Sequence, residues 1–332
     1  MNRIPFLPVS EFLRDVVDGE HCFICCAAPG SVTFNKEHVI PDWIVRRYGL
    51  ERETIELAGG TIVGYTKYKV PCCKACNDSM ERNFETPLSR VIGNGIGAVR
   101  EHMRTSDGRQ QIYSWLSLIF LKTHLKDREY RIDPDRRVES GQISELTDWG
   151  EMYHLHCLAR AFYTGAKIGP QAYGTLLVMK AETGSMFGDF DYMDYAPGMA
   201  MMLRLSDVVF FAVFNDGGFV ASVLGHRIAQ QPEPLRPVQC RELAVLMAYM
   251  NTLLDRRPEF VTHVSADSGE ATIDGRFGGF PSPPVFVPQD FGRLFYEKLG
   301  TMLPRIPFPN REEVEARIRA GEWSFLLTSD PS

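Results

Sequence analysis

Six of the eight cysteines fall into two tight groups, Cys22, Cys25, Cys26 and Cys72, Cys73, Cys76, with Cys157 and Cys240 elsewhere. Each group contains a C-x2-C spacing, and such a turn offers two thiolates at the bite that tetrahedral zinc requires. Two of these knuckles, Cys22/Cys25 and Cys73/Cys76, supply four soft ligands and predict one closed, structural Zn²⁺ site. Cys26 and Cys72 are adjacent spares, since only this choice keeps two-residue spacing in both groups. A short secreted chain would use such cysteines as disulfides; a 332-residue chain with clustered thiols points to metal instead.

Between the knuckles lies a second set of reactive types. Glu37 and His38 precede Val39-Ile40-Pro41, and Asn77 stands directly after Cys76. An imidazole with a pKa near neutrality can take a proton from water at physiological pH, a contribution of roughly 10²–10⁴-fold. Carboxylate and amide oxygens suit a hard cation, Mg²⁺ or Mn²⁺, which the zinc thiolates would not hold. Glu37 and His38 are neighbours on a predicted strand, so their side chains point to opposite faces. Both reach one metal only if the strand twists near Pro41; otherwise Glu37 is structural. On a helix starting near Lys74, Asn77, Glu81 and Glu85 recur at i, i+4 and i+8, either as a cation-binding face or as a solvated one.

The combination of EHVIP (Glu37 to Pro41) with CKACN (Cys73 to Asn77), behind an upstream knuckle, resembles the HNH, or ββα-metal, endonuclease family over about 70 residues. The resemblance implies a zinc-clipped ββα domain that hydrolyses phosphodiester bonds. His38 would be the general base, with Glu37 and Asn77 as catalytic residues that ligate one Mg²⁺. The substrate would be nucleic acid, DNA ahead of RNA, and by analogy the setting would be defence against foreign DNA. One departure from the pattern is plain. The family's middle asparagine, which steadies the loop carrying the base, has no counterpart, because residues 39–72 contain no asparagine. Another group must steady His38.

These residues need elements to hold them. Ser10 to Val17 predicts a short helix capped by Ser10, and Asp42 to Tyr48 a helical turn or two closed by Gly49. Thr54 to Val70 reads as a hairpin around Gly59-Gly60, and Lys74 to Phe84 as a helix stopped by Pro87. Gln110–Lys126 and Arg241–Leu254 are apolar almost all round and predict buried helices. Gly174–Met179 and Val208–Leu224 read as strands, the latter folded at Asn215-Asp216-Gly217-Gly218. His154 and His156 alternate in EMYHLHCLA, a strand-like core pattern, GDFDYMDY is a surface turn, and Arg311–Ala320 is a last helix.

The expected class is α+β. Residues 1–20 form a helical segment, 21–90 the zinc-clipped domain, and 91–332 a larger α/β domain of unassigned fold. The net charge of −6 argues against non-specific coating of nucleic acid. The stretch from Asn35 to Arg104 carries eleven Lys/Arg against nine Asp/Glu, so the acidity lies mostly C-terminal to it. No apolar run reaches membrane-spanning length and no cleaved leader is evident, so a cytoplasmic protein is expected. The C-terminal part would serve substrate positioning, self-association or a regulatory protein. Two competing readings are a catalytically silent zinc-stabilised nucleic-acid-binding module and a protein-interaction scaffold.

Overall fold

The computed structural model describes residues 5–57, 60–279, 281–282, 284–308 and 310–327. The chain opens with α1 (Val9–Glu11) and a π-turn over Phe12–Val17, then β1 (Phe34–His38) and α2 (Asp42–Arg47). Next come β2 (Thr54–Glu56), β3 (Ile62–Gly64), β4 (Lys69–Cys73) and α3 (Lys74–Met80), the last continued by a π-turn over Glu81–Glu85. The helices α4 (Thr86–Gly93), α5 (Gly95–His102), α6 (Ser106–Asp127) and α7 (Trp149–Thr164) follow, then β5 (Lys167–Ile168). Four strands, β6 (Leu176–Lys180), β7 (Phe190–Tyr195), β8 (Ala200–Leu205) and β9 (Val208–Val213), precede α8 (Phe219–Ala229) and α9 (Pro237–Thr252). The chain continues through β10 (Glu259–Val264), β11 (Ala271–Arg276), α10 (Pro288–Leu299) and α11 (Arg311–Ala320). The class is mixed α and β, and among the described residues no helix is long and apolar enough to cross a membrane.

Two compact units divide these elements. The first unit is Met1–Asn94, Glu101–Ala172 and Phe260–Gly275; the second is Gly95–Arg100, Tyr173–Glu259 and Arg276–Ser332. In the first unit β1 and β4 form an antiparallel ladder from Phe34↔Cys73 to His38↔Lys69. The β2–β3 ladder pairs Thr54 with Gly64, so Thr54 to Val70 is not one hairpin; its last residues open β4 in a different sheet. Gly59 lies outside the described residues, whereas Gly60 adopts the left-handed backbone a turn requires. A third small sheet has the order β10–β11–β5, with β11 parallel to β5.

Helix α6 is buried on every side, each residue from 112 to 125 being shielded. Its apolar run accounts for that, but Lys122, His124 and Asp127 are carried inside with it. Buried charges must find partners: Lys122 meets Glu37 of β1, and Asp127 accepts the Tyr68 hydroxyl. Helix α7 corrects the strand expected for EMYHLHCLA: Asp148 caps it through the N–H groups of Gly150 and Glu151, and Gly165 ends it in the left-handed region. Helix α3 also departs from expectation, since Pro87 does not stop it. The chain stays helical to Gly93, and the π-turn before Thr86 absorbs the disrupted hydrogen bonding around a proline at the start of α4. At the N-terminus Ser10 is not a cap; α1 begins after Pro8 with no side-chain cap.

The second unit is built on an antiparallel sheet of order β6–β9–β8–β7. One core joins Met202, Phe211 and Val213 of the sheet to Leu243 and Met247 of α9, Phe295 of α10 and Ile318 of α11. The expected turn GDFDYMDY is the edge strand β7, whose Asp191 meets Arg241 at 2.7 Å. The expected hairpin at 215–218 is instead a strand-to-helix junction. Buried Asp216 accepts the N–H groups of Thr175, Gly218 and Val220, and FVASVL starts α8 rather than a strand.

Candidate metal centre and histidine site

The Sγ atoms of Cys22, Cys25, Cys73 and Cys76 all lie within 4.8 Å of one another. Tetrahedral zinc with bonds near 2.3 Å separates its sulfurs by roughly 3.8 Å, so four soft donors at this spacing fit that ion. Local backbone explains why these four are chosen. Cys26 sits in the left-handed region, φ 62°, and its N–H donates to the Cys22 carbonyl at 2.8 Å, closing the first knuckle. It is the turn residue, not a ligand. Cys73 caps α3, its sulfur accepting the Cys76 N–H at 3.4 Å. Cys72 is a buried fifth thiol, 3.8 Å from the Cys22 sulfur.

The thiols share their protons unequally. Hydrogen bonds from Cys25, Cys72 and Cys76 hold Cys22 far below the usual thiol range. Bonding to Cys22 pushes Cys25 up to about 12 and raises Cys72 and Cys76 as well. Metal entry would displace these shared protons, so binding weakens as the solution becomes acidic.

Helix α7 secures the first knuckle from behind. His156 Nε2 lies 2.9 Å from the Phe23 carbonyl, and Arg160 Nε donates to the Ile24 carbonyl at 2.5 Å. Burial drives His156 well below an ordinary imidazole pKa and His154 down to about 3, so both are neutral. His154 contacts the Ala172 carbonyl at 3.1 Å and stacks on Phe260; it serves packing, not metal.

His38 ends β1. Its ladder partner is Lys69, and residues directly opposite in a ladder share a face. Lys36, two residues earlier, is exposed on that same face, while Glu37 points the other way and is 6% exposed. His38 is half-buried, with Nε2 3.8 Å from Asp42 Oδ1. Burial, then Lys69, lowers its pKa from the ordinary value, while Asp42 and Glu37 oppose the shift. A neutral imidazole at neutral pH is the form a general base requires.

Glu37 is engaged elsewhere. Its Oε1 accepts from Lys122 Nζ at 2.7 Å, and the same ammonium donates to the His38 carbonyl at 2.7 Å. The structure therefore does not bring the Glu37 carboxylate to the imidazole's face; the carboxylate nearest His38 is Asp42. Asn77 occupies the second turn of α3, which packs against β1, and is half-buried. The π-turn breaks the expected Asn77–Glu81–Glu85 face. Glu81 is exposed, whereas Glu85 turns inward, its carboxyl pushed up to about 7 by burial and then by Glu37.

Sequence reasoning missed Asp42, Lys122, His156 and Arg160. Asp42 follows His38 at i+4. Lys122 falls inside the helix predicted over Gln110–Lys126, where nothing local marks its partner. His156 and Arg160 share a helical i, i+4 spacing that a strand assignment hides. Set against known families, characterised proteins and solved structures, the chain matches none of them.

Proposed function

We propose that this chain is a metal-dependent nuclease in which His38 is the general base and the four-cysteine centre is a structural zinc site. The observation that carries this reading is the placement of His38. It lies on the strand paired with β4, and β4 runs directly into the second knuckle and α3. One zinc clip would thus tie the base and the Asn77 oxygen into a single β–β–α element of HNH type. Lys36 and Lys69 flank the imidazole on the outward face, where they suit a phosphate backbone. A Mg²⁺ or Mn²⁺ ion held there by Asn77, with Asp42 as the nearest carboxylate, would supply the Lewis acid; the closed thiolate site has no open position for it. Attack of water would form a new P–O bond as its proton passes to His38, while the bond to the ester oxygen breaks; the bound cation would stabilise that leaving oxygen, which then takes a proton from solvent.

Zinc-loaded protein incubated with supercoiled plasmid should produce nicked or linear DNA only when Mg²⁺ or Mn²⁺ is added. His38→Ala should lower the rate by about 10²-fold or more while zinc content and melting temperature stay unchanged. An equally active variant would move the base elsewhere. A second reading, a silent zinc-stabilised nucleic-acid-binding module, is favoured by the Glu37–Lys122 pair, which removes one expected oxygen ligand. It predicts a gel shift without cleavage under every metal.

A further inference from the structure

We propose that Lys122 of α6 is the positioning residue for His38, doing from outside the zinc-clipped segment what no asparagine within residues 39–72 is present to do. This deepens the nuclease reading and rests on it.

The observations concern one ammonium. Lys122 is 2% exposed and sits within the stretch of α6, residues 112–125, that is shielded from water on all sides. Its Nζ holds two oxygens at 2.7 Å each, the Glu37 carboxylate and the His38 main-chain carbonyl. Glu37 is equally shielded, so the pair exchanges little with solvent. A buried ion pair of this kind adds little net stability compared with apolar residues of the same size, because desolvation offsets the attraction. Its usefulness lies in geometry. The carbonyl is the last one of β1, where ladder pairing ends and the chain turns through Pro41 into α2. The N–H side of this peptide is held by the Tyr68 carbonyl, which accepts from Val39 at 3.0 Å, and Lys122 supplies the hold on its carbonyl side. Lys122 fixes the peptide plane on one side of the strand and therefore the direction in which His38 leaves the other.

A second anchor of the same helix sets the contrast. Tyr68 donates its hydroxyl to Asp127 one helical turn further along, and its carbonyl accepts the Val39 N–H at 3.0 Å. The Tyr68 hydroxyl fastens the start of β4 to α6 without touching the His38–Val39 peptide, and its main-chain bond to Val39 survives loss of the hydroxyl, so Tyr68→Phe separates docking from aiming.

The full-length, zinc-loaded chain is assayed with Mg²⁺ on plasmid, well below the melting temperature of every variant. Lys122→Met should lower kcat at least about tenfold with KM and the half-saturating Mg²⁺ concentration within about twofold of wild type. Tyr68→Phe should lower the melting temperature yet keep kcat within about twofold. If Lys122→Met does not fold, because it strands a buried carboxylate, the same tenfold drop is read between Glu37→Gln and Glu37→Gln/Lys122→Met. The bond itself is read without substrate from the ¹³C resonance of the His38 carbonyl, which should move in both Lys122 variants and stay in place in Tyr68→Phe. Equal kcat in the Lys122 variants and their references overturns the proposal. So does a kcat loss in Tyr68→Phe as large as in Lys122→Met, since the effect would then be docking alone. A wild-type chain that cleaves nothing under any metal overturns the nuclease reading and with it the catalytic purpose of the clamp, whereas the carbonyl resonance reports separately on whether the clamp exists.

Discussion

The imidazole of His38 is held between opposing charges, and their signs can be tested separately. Asp42 stabilises the protonated ring and Lys69 destabilises it. Removing the carboxylate should therefore lower the pKa further, and removing the ammonium should raise it. If His38 is the proposed base, it must be neutral to act, and the acidic limb of kcat/KM against pH would follow the same directions. Asp42→Asn should shift that limb to lower pH and Lys69→Gln to higher pH; shifts of the same sign in both would discount His38 as the titrating group. Glu85 offers a second pH handle. Its carboxyl is raised to about 7, chiefly by burial, so the folded state keeps a proton that the unfolded chain gives up near 4.5. The native state is thus weakened as pH rises through about 7, and the weakening is absent below the unfolded value. Glu85→Gln should be more stable than wild type at pH 8, by about 1–2 kcal/mol, and indistinguishable from it at pH 4. Denaturant titrations at the two pH values decide the matter.

At the scale of elements, the four-cysteine centre is braced by a helix that supplies none of the four thiols. Phe23 and Ile24, inside the first knuckle, give their carbonyls to His156 and Arg160 of α7. Loss of such supporting bonds commonly costs 10–100-fold in metal affinity. Arg160→Leu should fall in that range in competition with a chromophoric chelator, with all four thiols intact; unchanged affinity would make the contact incidental. How much of this was legible in sequence differs from element to element. The C-x2-C pairs state their own bite, so the thiol register could be read without any fold. The Glu37–His38 alternation also stated its geometry, opposite faces, and only the partner of Glu37 was hidden. That partner stands 85 positions away on α6, a distance that no local periodicity spans. Local rules failed where a side chain or an altered turn replaced the expected hydrogen bonds. Asp216 turned an Asn-Asp-Gly-Gly segment into a helix start, and a π-turn carried α3 past Pro87.

At the scale of the molecule, the four-cysteine segment is fastened to helices outside residues 21–90. Its β1–β4 ladder is held at His38 by Lys122 and at Tyr68 by Asp127 of α6, and its first knuckle by α7, and all belong to the first compact unit. A fragment of residues 1–90 with one equivalent of zinc should therefore lack the dispersed amide spectrum of a folded protein. A well-dispersed, cooperatively melting fragment would contradict that dependence. Charge belongs to this scale too. At −6 overall, the chain should meet a polyanion only where cations such as Lys36 and Lys69 collect, and repel it elsewhere.

The first unit is discontinuous: its third piece, Phe260–Gly275, returns to it after an excursion, and β11 lies parallel to β5. On the ribosome this becomes a matter of timing. Synthesis at roughly 5–20 residues per second leaves about 5–20 s between emergence of residue 172 and residue 275. For that interval the nascent chain already holds both thiol knuckles, the hairpin and α6, but has an open β5 edge. If the proposed centre needs that last strand to settle, it would stay silent through this interval.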